Sequence, residues 1–450
     1  MTTVNVAALI DEGRFSRYQQ LLVAATALLI VLDGADNQLL ANAIPAMMRE
    51  WSLPRPAFAN ASAAAPFGMI LGGLLGGVLG DRIGRTTTLL GSVAVFAIFT
   101  ALVAAVPGLT LLVVVRFLAG LGLGGAMPNA AALTAELVPG RQRPIAITLT
   151  IVCIPVGGVL AGLVAAQIIP ALGWRTLFLA GGVVPLAIAL ILRAVLPESP
   201  RFLAATPHRW PELRATLTRM GHRLEADATF VEAQAAPSKG SIAELLSPPL
   251  RRDTLALTGA FGSCLLAIWM AFLWIPSMLT DAAVGFSQPQ ASLALSLFNF
   301  GGVAGAIGGA LLIQRFGSRP TLLAISAAAI LCLLAMSAMT WSVSVIAAAM
   351  SMLTIAGVLL NAVQATMYAL AAHVYPTAIR GTGVGATVAV GRLGNVAASY
   401  TGSWALSTGG PPLYFQCWTA AMVLVFVCLA AVRRHIPKPA AREMRHNRAP

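Results

Sequence analysis

The chain has 450 residues, of which 58% are hydrophobic and 10% are charged, and its mean hydropathy is +0.82. These values exclude an ordinary soluble globular domain and indicate a membrane protein. The formal net charge of +13 would indicate a nucleic-acid partner only if the basic residues clustered on a soluble surface.

Apolar stretches long enough to cross a hydrocarbon core of about 30 Å recur along the whole sequence. Each stretch is unbroken and about twenty residues or longer, which favours helices over the short alternating strands of a barrel. We therefore predict an all-α membrane protein with twelve transmembrane helices. The predicted spans are 19–47, 57–79, 86–106, 109–136, 145–170, 174–196, 254–280, 289–313, 321–340, 342–372, 381–407 and 413–432.

The basic residues lie almost entirely on one side of these spans. That side holds Arg14, Arg17, Arg82, Arg85, Arg141, Arg143, Arg315, Arg319, Arg380, the 193–252 region and the tail from Arg433. The opposite side holds Arg49, Arg55 and Arg175. The positive-inside rule then predicts cytoplasmic N- and C-termini in a multi-pass bacterial inner-membrane protein. The net positive charge therefore reflects the orientation of the protein in the lipid bilayer and its attraction to the inner leaflet, rather than nucleic-acid binding.

One long polar stretch, 197–253, separates six spans from six and is predicted to be a cytoplasmic linker. The halves share loop patterns: "AELVPGRQR" at 135–143 matches "AHVYPTAIR" at 372–380, and "DRIGRTTTLL" at 81–90 matches "QRFGSRPTLL" at 314–323. Duplication explains these polar matches better than chance similarity between apolar sequences. The sequence thus predicts two pseudo-symmetric six-helix bundles, at 1–196 and 254–432, and a basic cytoplasmic tail at 433–450.

The turn between the second and third spans carries glycines and charges in a short space. We predict that it acts as a conformational latch, in which glycines permit close approach, Asp81 accepts bonds from a helix N-terminus and the arginines pair with acids. A solvated loop is the alternative, but it does not explain the acid or the glycines. The predicted latch residues are Gly77, Asp81, Arg82, Gly84 and Arg85, together with Glu136 and Arg143 of the following cytoplasmic loop.

These motifs resemble those of the major facilitator superfamily, whose signature in this loop runs Gly, Asp-Arg, Gly-Arg. "RFLAGLGLGGAMPN" at 116–129 and "PESPRFL" at 197–203 add to the resemblance. "LDGADNQ" at 32–38, "IPVGG" at 154–158 and "GRLGN" at 391–395 resemble its aromatic acid:proton symporter family. Ala35 stands where that family has an aromatic residue, and "AASY" at 397–400 replaces its closing Gly-Pro. The resemblance implies the major facilitator fold and import of benzoate-, hydroxybenzoate- or phenylpropionate-type acids.

Asp33, Asp36 and Arg116 are ionisable residues deep inside predicted spans. Each costs about 2.5–3.5 kcal/mol at the bilayer centre, so all three should face the bundle interior. Spacing of three residues puts both acids on one helix face, and Arg116 lies at a similar depth. Burial and repulsion favour the protonated acids, whereas a nearby arginine favours the charged form, which makes a proton switch. A static charge balance with Arg116 is the alternative.

Arg392 lies near the middle of the eleventh span and is suited to a forked grip on a substrate carboxylate. Pairing with Asp33 or Asp36 is the alternative, and would make Arg392 part of a gate. Other polar residues within spans are candidates for substrate contacts, although such residues equally serve helix packing. They are Asn129, Asn299, Asn361, Gln364 and Tyr368.

The leading interpretation is a monomeric secondary transporter that imports a small organic anion with a proton by alternating access. The alternative is a proton-coupled exporter of drugs, or a carrier of another small metabolite such as a sugar or aliphatic acid. No HExxH, GxSxG or GxxxxGK[ST] motif occurs, and the five cysteines lack CxxC spacing. We therefore predict neither an enzyme, a metal site nor a cofactor, and expect the proton gradient to drive transport.

Overall fold

The structure, a computed structural model, describes residues 3–225, 228–231, 242–376 and 379–438. The first half contains β1 (Thr3–Asn5), α1 (Val6–Asp11), α2 (Arg17–Trp51), α3 (Ala59–Ile83), α4 (Arg85–Val103), α5 (Leu109–Leu137) and α6 (Arg143–Leu192). The linker contains α7 (Pro200–Ala204), α8 (Trp210–Arg219), β2 (Thr229–Val231) and α9 (Ile242–Leu245). The second half contains α10 (Pro248–Leu279), α11 (Gln288–Phe316), α12 (Ser318–Ala338), α13 (Ile346–Val374), α14 (Arg380–Gly391) and α15 (Leu393–Ala431).

Twelve membrane crossings, six before the linker and six after it, follow from these helices. Among the described residues, ten helical stretches are long and apolar enough to cross a membrane, and two of them, at 152–192 and 380–431, are long enough for two crossings each. Both long stretches break at a glycine with positive φ, Gly173 (φ 81°) in α6 and Gly410 (φ 63°) in α15. These breaks lie between the spans predicted to end at 170 and 407 and those that follow them.

The chain folds into two compact units as far as it is described. The first comprises residues 1–36, 67–157 and 178–237, and the second comprises residues 37–66, 158–177 and 238–450. The second unit thus contains the end of α2, the start of α3 and the middle of α6, which are predicted to lie on the outer side, together with the helices of the second half. The division into two sequence-related halves stays a prediction.

The linker folds against the N-terminal segment instead of forming a plain connection. β1 pairs in parallel with β2, so that Thr3 is opposite Thr229 and Asn5 is opposite Val231. Side chains from α1, α7 and α8 share one apolar core with this pair. Two three-residue strands show no hydrophobic periodicity, which explains why the sequence pattern predicts only helices. Residues 226–227 and 232–241 of the predicted linker and 439–450 of the predicted tail lie outside the described residues.

Candidate functional site

Asp36 forms a buried charge cluster inside the first unit. Its side chain on α2 accepts a hydrogen bond from the hydroxyl of Thr100 on α4. The Nη1 atom of Arg116 on α5 lies 3.3 Å from Asp36 Oδ2, and both charged residues are at most 2% exposed. A buried carboxylate held by one cation and one hydroxyl changes its proton affinity when either partner moves. The structure therefore brings together Asp36 and Arg116, as the proton-coupling hypothesis requires.

Asp33 lies one turn earlier on α2 and is 2% exposed, so both acids are buried. Gly34, between them, lies where α2 crosses α6: a Cβ atom there would be 2.2 Å from the carbonyl oxygen of Ile154. Conversely, a Cβ atom on Gly157 would be 2.0 Å from the carbonyl oxygen of Val31. The "LDGADNQ" and "IPVGG" motifs thus pack backbone against backbone, and this crossing fixes the position of the two acids.

Arg392 lies at the junction of α14 and α15 and is partly exposed. Gly391, the residue before it, packs on Phe261 of α10, where a Cβ atom on the glycine would lie 2.9 Å from Phe261 Cβ. The Phe261 ring in turn packs edge to face on Tyr368 of α13, at 5.1 Å between centroids. Two of the residues predicted to contact substrate are therefore neighbours within the second unit. A guanidinium beside a phenol and an aromatic ring can bind the carboxylate and the ring of an aromatic acid.

The amides of Asn129 and Asn361 bond to helix backbones. Asn129 donates to the carbonyl oxygens of Gly76 (2.9 Å) and Gly125 (2.8 Å), linking α3 to α5. Asn361 donates to Gly357 one turn back at 3.0 Å, and Gln364 is partly exposed on the same helix α13. The first two contacts suit helix packing, and a role in substrate binding stays a prediction for all three residues.

Asn299 on α11 is paired with Gln38 on α2 by two hydrogen bonds, each 2.8 Å long, in which each amide donates to the other. Asn299 is 0% exposed and Gln38 is 1% exposed. In this conformation the Asn299 side chain therefore closes a contact within the second unit rather than facing a ligand. Gln38 is the last residue of "LDGADNQ", but a glutamine within a helix gives no sequence signal for such a pairing.

Arg55, just before α3, binds the end of α10 and the loop that follows it. Its Nη2 atom donates to the carbonyl oxygen of Ser277 (2.9 Å) and to Asp281 Oδ2 (2.8 Å). Burial raises the pKa of the Asp281 carboxyl, but the hydrogen bonds from Arg55 and from the Ala283 N–H, with the Arg55 charge, outweigh it and lower the pKa. Together with the Gln38–Asn299 pair, this contact closes the predicted outer side within the second unit.

We expect Asp281→Asn to open this closure. The pair is worth about 1 kcal/mol, because Asp281 is partly exposed, so the ratio of closed to open protein should fall about fivefold. The measurement is labelling of an engineered Ser292→Cys by an impermeant maleimide from the outer side, in a variant without the five native cysteines. Ser292 is fully buried at the start of α11, and an unchanged labelling rate would contradict the prediction.

The same assay gives a pH dependence. A lowered pKa means that the ion pair contributes its full stability above the ordinary aspartate pKa of about 3.9 and loses it as the pH falls through the lower folded value. At each pH between about 5 and 8, Asp281→Asn should therefore raise the Ser292→Cys labelling rate by the same factor over the protein that keeps Asp281. The comparison is made at equal pH because the thiolate, which reacts with the maleimide, becomes more abundant in both proteins as the pH rises.

The predicted latch is a charge cluster at the turn between α3 and α4. Asp81 accepts from Arg85, and Arg85 Nε lies 3.8 Å from Oε1 of Glu136. Arg82 is exposed, and a Cβ atom on Gly77 would meet nothing within 4 Å. The arginine–acid pairing thus agrees with the latch hypothesis, whereas close approach at Gly77 is not present in this conformation.

Glu198 supplies the carboxylate at the N-terminus of α4, in place of the predicted Asp81. Its oxygens accept from the backbone N–H groups of Thr86 (2.8 Å) and Thr87 (3.1 Å). Gly84 has φ 103°, and a Cβ atom there would lie 2.3 Å from Glu198 Oε2. The glycine is therefore required by both the turn and the carboxylate. The "PESPRFL" motif identifies the segment that contains Glu198, but it does not predict that this segment contacts the N-terminus of α4, over a hundred residues away.

Three further hydrogen bonds complete the cluster. Ser199 donates its hydroxyl to Glu136, so the end of α5 is tied to the segment after α6. Arg143 donates to Asp11 of α1 and, at 2.7 Å, to the carbonyl oxygen of Ala135. Glu136 and Arg143 thus join the predicted latch to the N-terminal segment, a link that the sequence does not reveal.

Comparisons with known proteins agree with this architecture. The family model described as Major Facilitator Superfamily matches residues 26–399 and 282–449. The chain is 32% identical over 410 residues to the 4-hydroxybenzoate transporter PcaK of Pseudomonas putida, covering 90% of each chain. It is 33% identical over 414 residues to the gallate transporter of Pseudomonas putida, covering 92% of this chain and 91% of the relative. The inward open conformation of the xylose transporter XylE from E. coli superposes with a TM-score of 0.73 at 17% identity, covering 95% of this chain and 99% of that one.

Proposed function

The chain belongs to the major facilitator superfamily, and on that premise we propose that it imports a small aromatic carboxylate together with a proton by alternating access. The similarity to the 4-hydroxybenzoate and gallate transporters over about nine-tenths of the chain is the observation that supports an aromatic carboxylate as the substrate. The protein is then a carrier and not an enzyme, and the proton gradient drives it without a bound cofactor. It works as a monomer in the bacterial inner membrane, with both termini in the cytoplasm.

The buried cluster of Asp36, Thr100 and Arg116 supports proton coupling. Binding of a proton at Asp36 neutralises the carboxylate and releases Arg116 from its partner, so protonation and the packing of α2 against α5 depend on each other. Arg392, beside Tyr368 in the second unit, is the proposed cation for the substrate carboxylate. The proton then binds in the first unit and the substrate carboxylate binds in the second.

Uptake into liposomes tests the proposal. The purified protein should accumulate labelled 4-hydroxybenzoate above the level of protein-free liposomes when the outside is made acidic, and a protonophore should abolish the excess. Unlabelled benzoate and gallate should compete, whereas xylose should not. Absence of gradient-dependent uptake of any aromatic acid, combined with efflux of cationic dyes, would overturn the proposal in favour of a drug exporter.

A further inference from the structure

A pocket of about 360 Å³ lies on the predicted outer side of the second unit. It is formed by the end of α2, the break in α6 at Gly173 and the start of α11, and its lining includes Arg49, Trp174 and Gln288. We infer that this pocket is a second binding site, on the outer face, for a hydroxylated aromatic monocarboxylate. The inference rests on the proposed function, since it assigns to this pocket the same class of ligand.

The charges around the pocket favour an anion. Glu50 is occupied: its Oε2 accepts from Trp174 Nε1 (2.7 Å) and from Arg175 Nη1 (2.8 Å), and its Oε1 lies 2.7 Å from Arg175 Nη2. Arg49 is exposed beside it. Arg175 and Glu50 neutralise each other, so the rim carries one net positive charge, that of Arg49. Arg49, Arg55 and Arg175 are also the basic residues that the sequence places on the outer side, and two of the three lie here.

The walls of the pocket suit an aromatic ring. Trp174 is 3% exposed, and its indole packs edge to face on Trp51 at 5.7 Å, which in turn stacks on Phe58 at 5.9 Å. The Arg175 guanidinium lies 4.3 Å from the Trp174 ring centre. Pro170 and Pro289 are exposed and give the pocket apolar surface, and the volume falls in the ordinary range for small-ligand pockets.

Gln288 gives the pocket a hydrogen-bond acceptor and the N-terminal end of a helix. It is the first residue of α11, a 29-residue helix whose capping box is formed by Ser287 and Gln290, and the positive end of a helix favours anions. Gln288 is 7% exposed and its Nε2 donates to the carbonyl oxygen of Asn42 at 2.7 Å. Within the described part of the chain, its Oε1 is buried without a hydrogen-bond partner. A hydroxyl on the ligand ring can donate to this oxygen, which otherwise stays unsatisfied.

The test is transport kinetics measured separately from each side of the membrane. In right-side-out vesicles, Arg49→Gln should raise the KM for external 4-hydroxybenzoate about three- to tenfold with Vmax nearly unchanged. In inside-out vesicles the KM should stay at the wild-type value, because the pocket lies on the opposite face. Arg315→Gln is the matched control: it removes an exposed arginine from the other end of α11 and should change neither KM.

Gln288→Met provides a second readout. It should reduce the preference for 4-hydroxybenzoate over benzoate measured from outside, because the acceptor for the ring hydroxyl is lost. Equal changes of KM on both faces in Arg49→Gln, or no change on either, would overturn the inference while the wild-type protein still accumulates the acid. Absence of uptake by the wild-type protein would instead overturn the proposed function, so the two failures are distinguishable.

Discussion

Asp36→Asn abolishes proton-driven accumulation and leaves exchange of substrate across the membrane in place. Asparagine has nearly the same shape as aspartate and still accepts from Thr100, but it neither binds nor releases a proton at working pH. The labelled acid should therefore equilibrate to a ratio of about one in liposomes with an imposed pH gradient, while counterflow against unlabelled acid continues. Full accumulation by this variant would remove Asp36 from the coupling mechanism.

Arg116, the ion-pair partner of Asp36, makes a control for protein stability necessary in this experiment. Asp36→Asn leaves Arg116 buried beside a neutral group, and breaking a buried ion pair costs about 3–5 kcal/mol. Loss of transport through unfolding must therefore be separated from loss of coupling. The double variant Asp36→Asn with Arg116→Gln removes both charges, so it should recover thermal stability relative to the single variant while accumulation stays absent.

Asp33→Asn distinguishes a shared proton site from a single one. Both acids are buried on α2, and Asp36 forms an ion pair with Arg116. If the two acids act as a coupled pair, either substitution abolishes accumulation. If Asp36 alone carries the proton, Asp33→Asn retains a gradient-dependent ratio above one in the same liposome assay.

The sequence predicts those features of the structure that depend on residues close together in the chain. Apolar length and charge asymmetry are local signals, and they are enough to predict the twelve crossings and the breaks near Gly173 and Gly410. The depth of a charge also follows from counting residues along a helix. For that reason the approach of Arg116 to Asp36 was predictable, even though the two residues lie on different helices.

Contacts that depend on the packing of distant segments were not predictable in this way. Glu198 meets the start of α4 and Gln38 meets Asn299 only once the helices are assembled. Neither residue type reveals its partner, because a glutamate after a helix or a glutamine within one is ordinary in isolation. The β1–β2 pair likewise joins two three-residue segments more than two hundred positions apart. Such short segments show no hydrophobic periodicity that would predict the pairing.

Gly34→Ala destabilises the protein and disables transport. The added methyl group would lie 2.2 Å from the carbonyl oxygen and 2.8 Å from the Cα atom of Ile154. Both atoms belong to the backbone of α6, so no side chain can rotate away and the two helices must separate. Overpacking of this kind costs about 1–3 kcal/mol, which we expect as an earlier loss of the monodisperse protein on heating in detergent. Gly91→Ala is the matched control, since a Cβ atom there meets nothing within 4 Å.

A second substitution at the crossing of α2 and α6 tests whether helix packing there affects proton coupling. Gly157→Ala should destabilise the protein similarly, because its methyl group would meet the backbone of Val31 and Ala35 on α2. Since both substitutions force apart the same two helices, the double variant should cost less than the sum of the single ones. Additive losses would mean that the glycines act at separate sites. At temperatures where the single variants stay folded, displacement of Asp33 and Asp36 should still lower the accumulation ratio, whereas Gly91→Ala keeps it at the wild-type value.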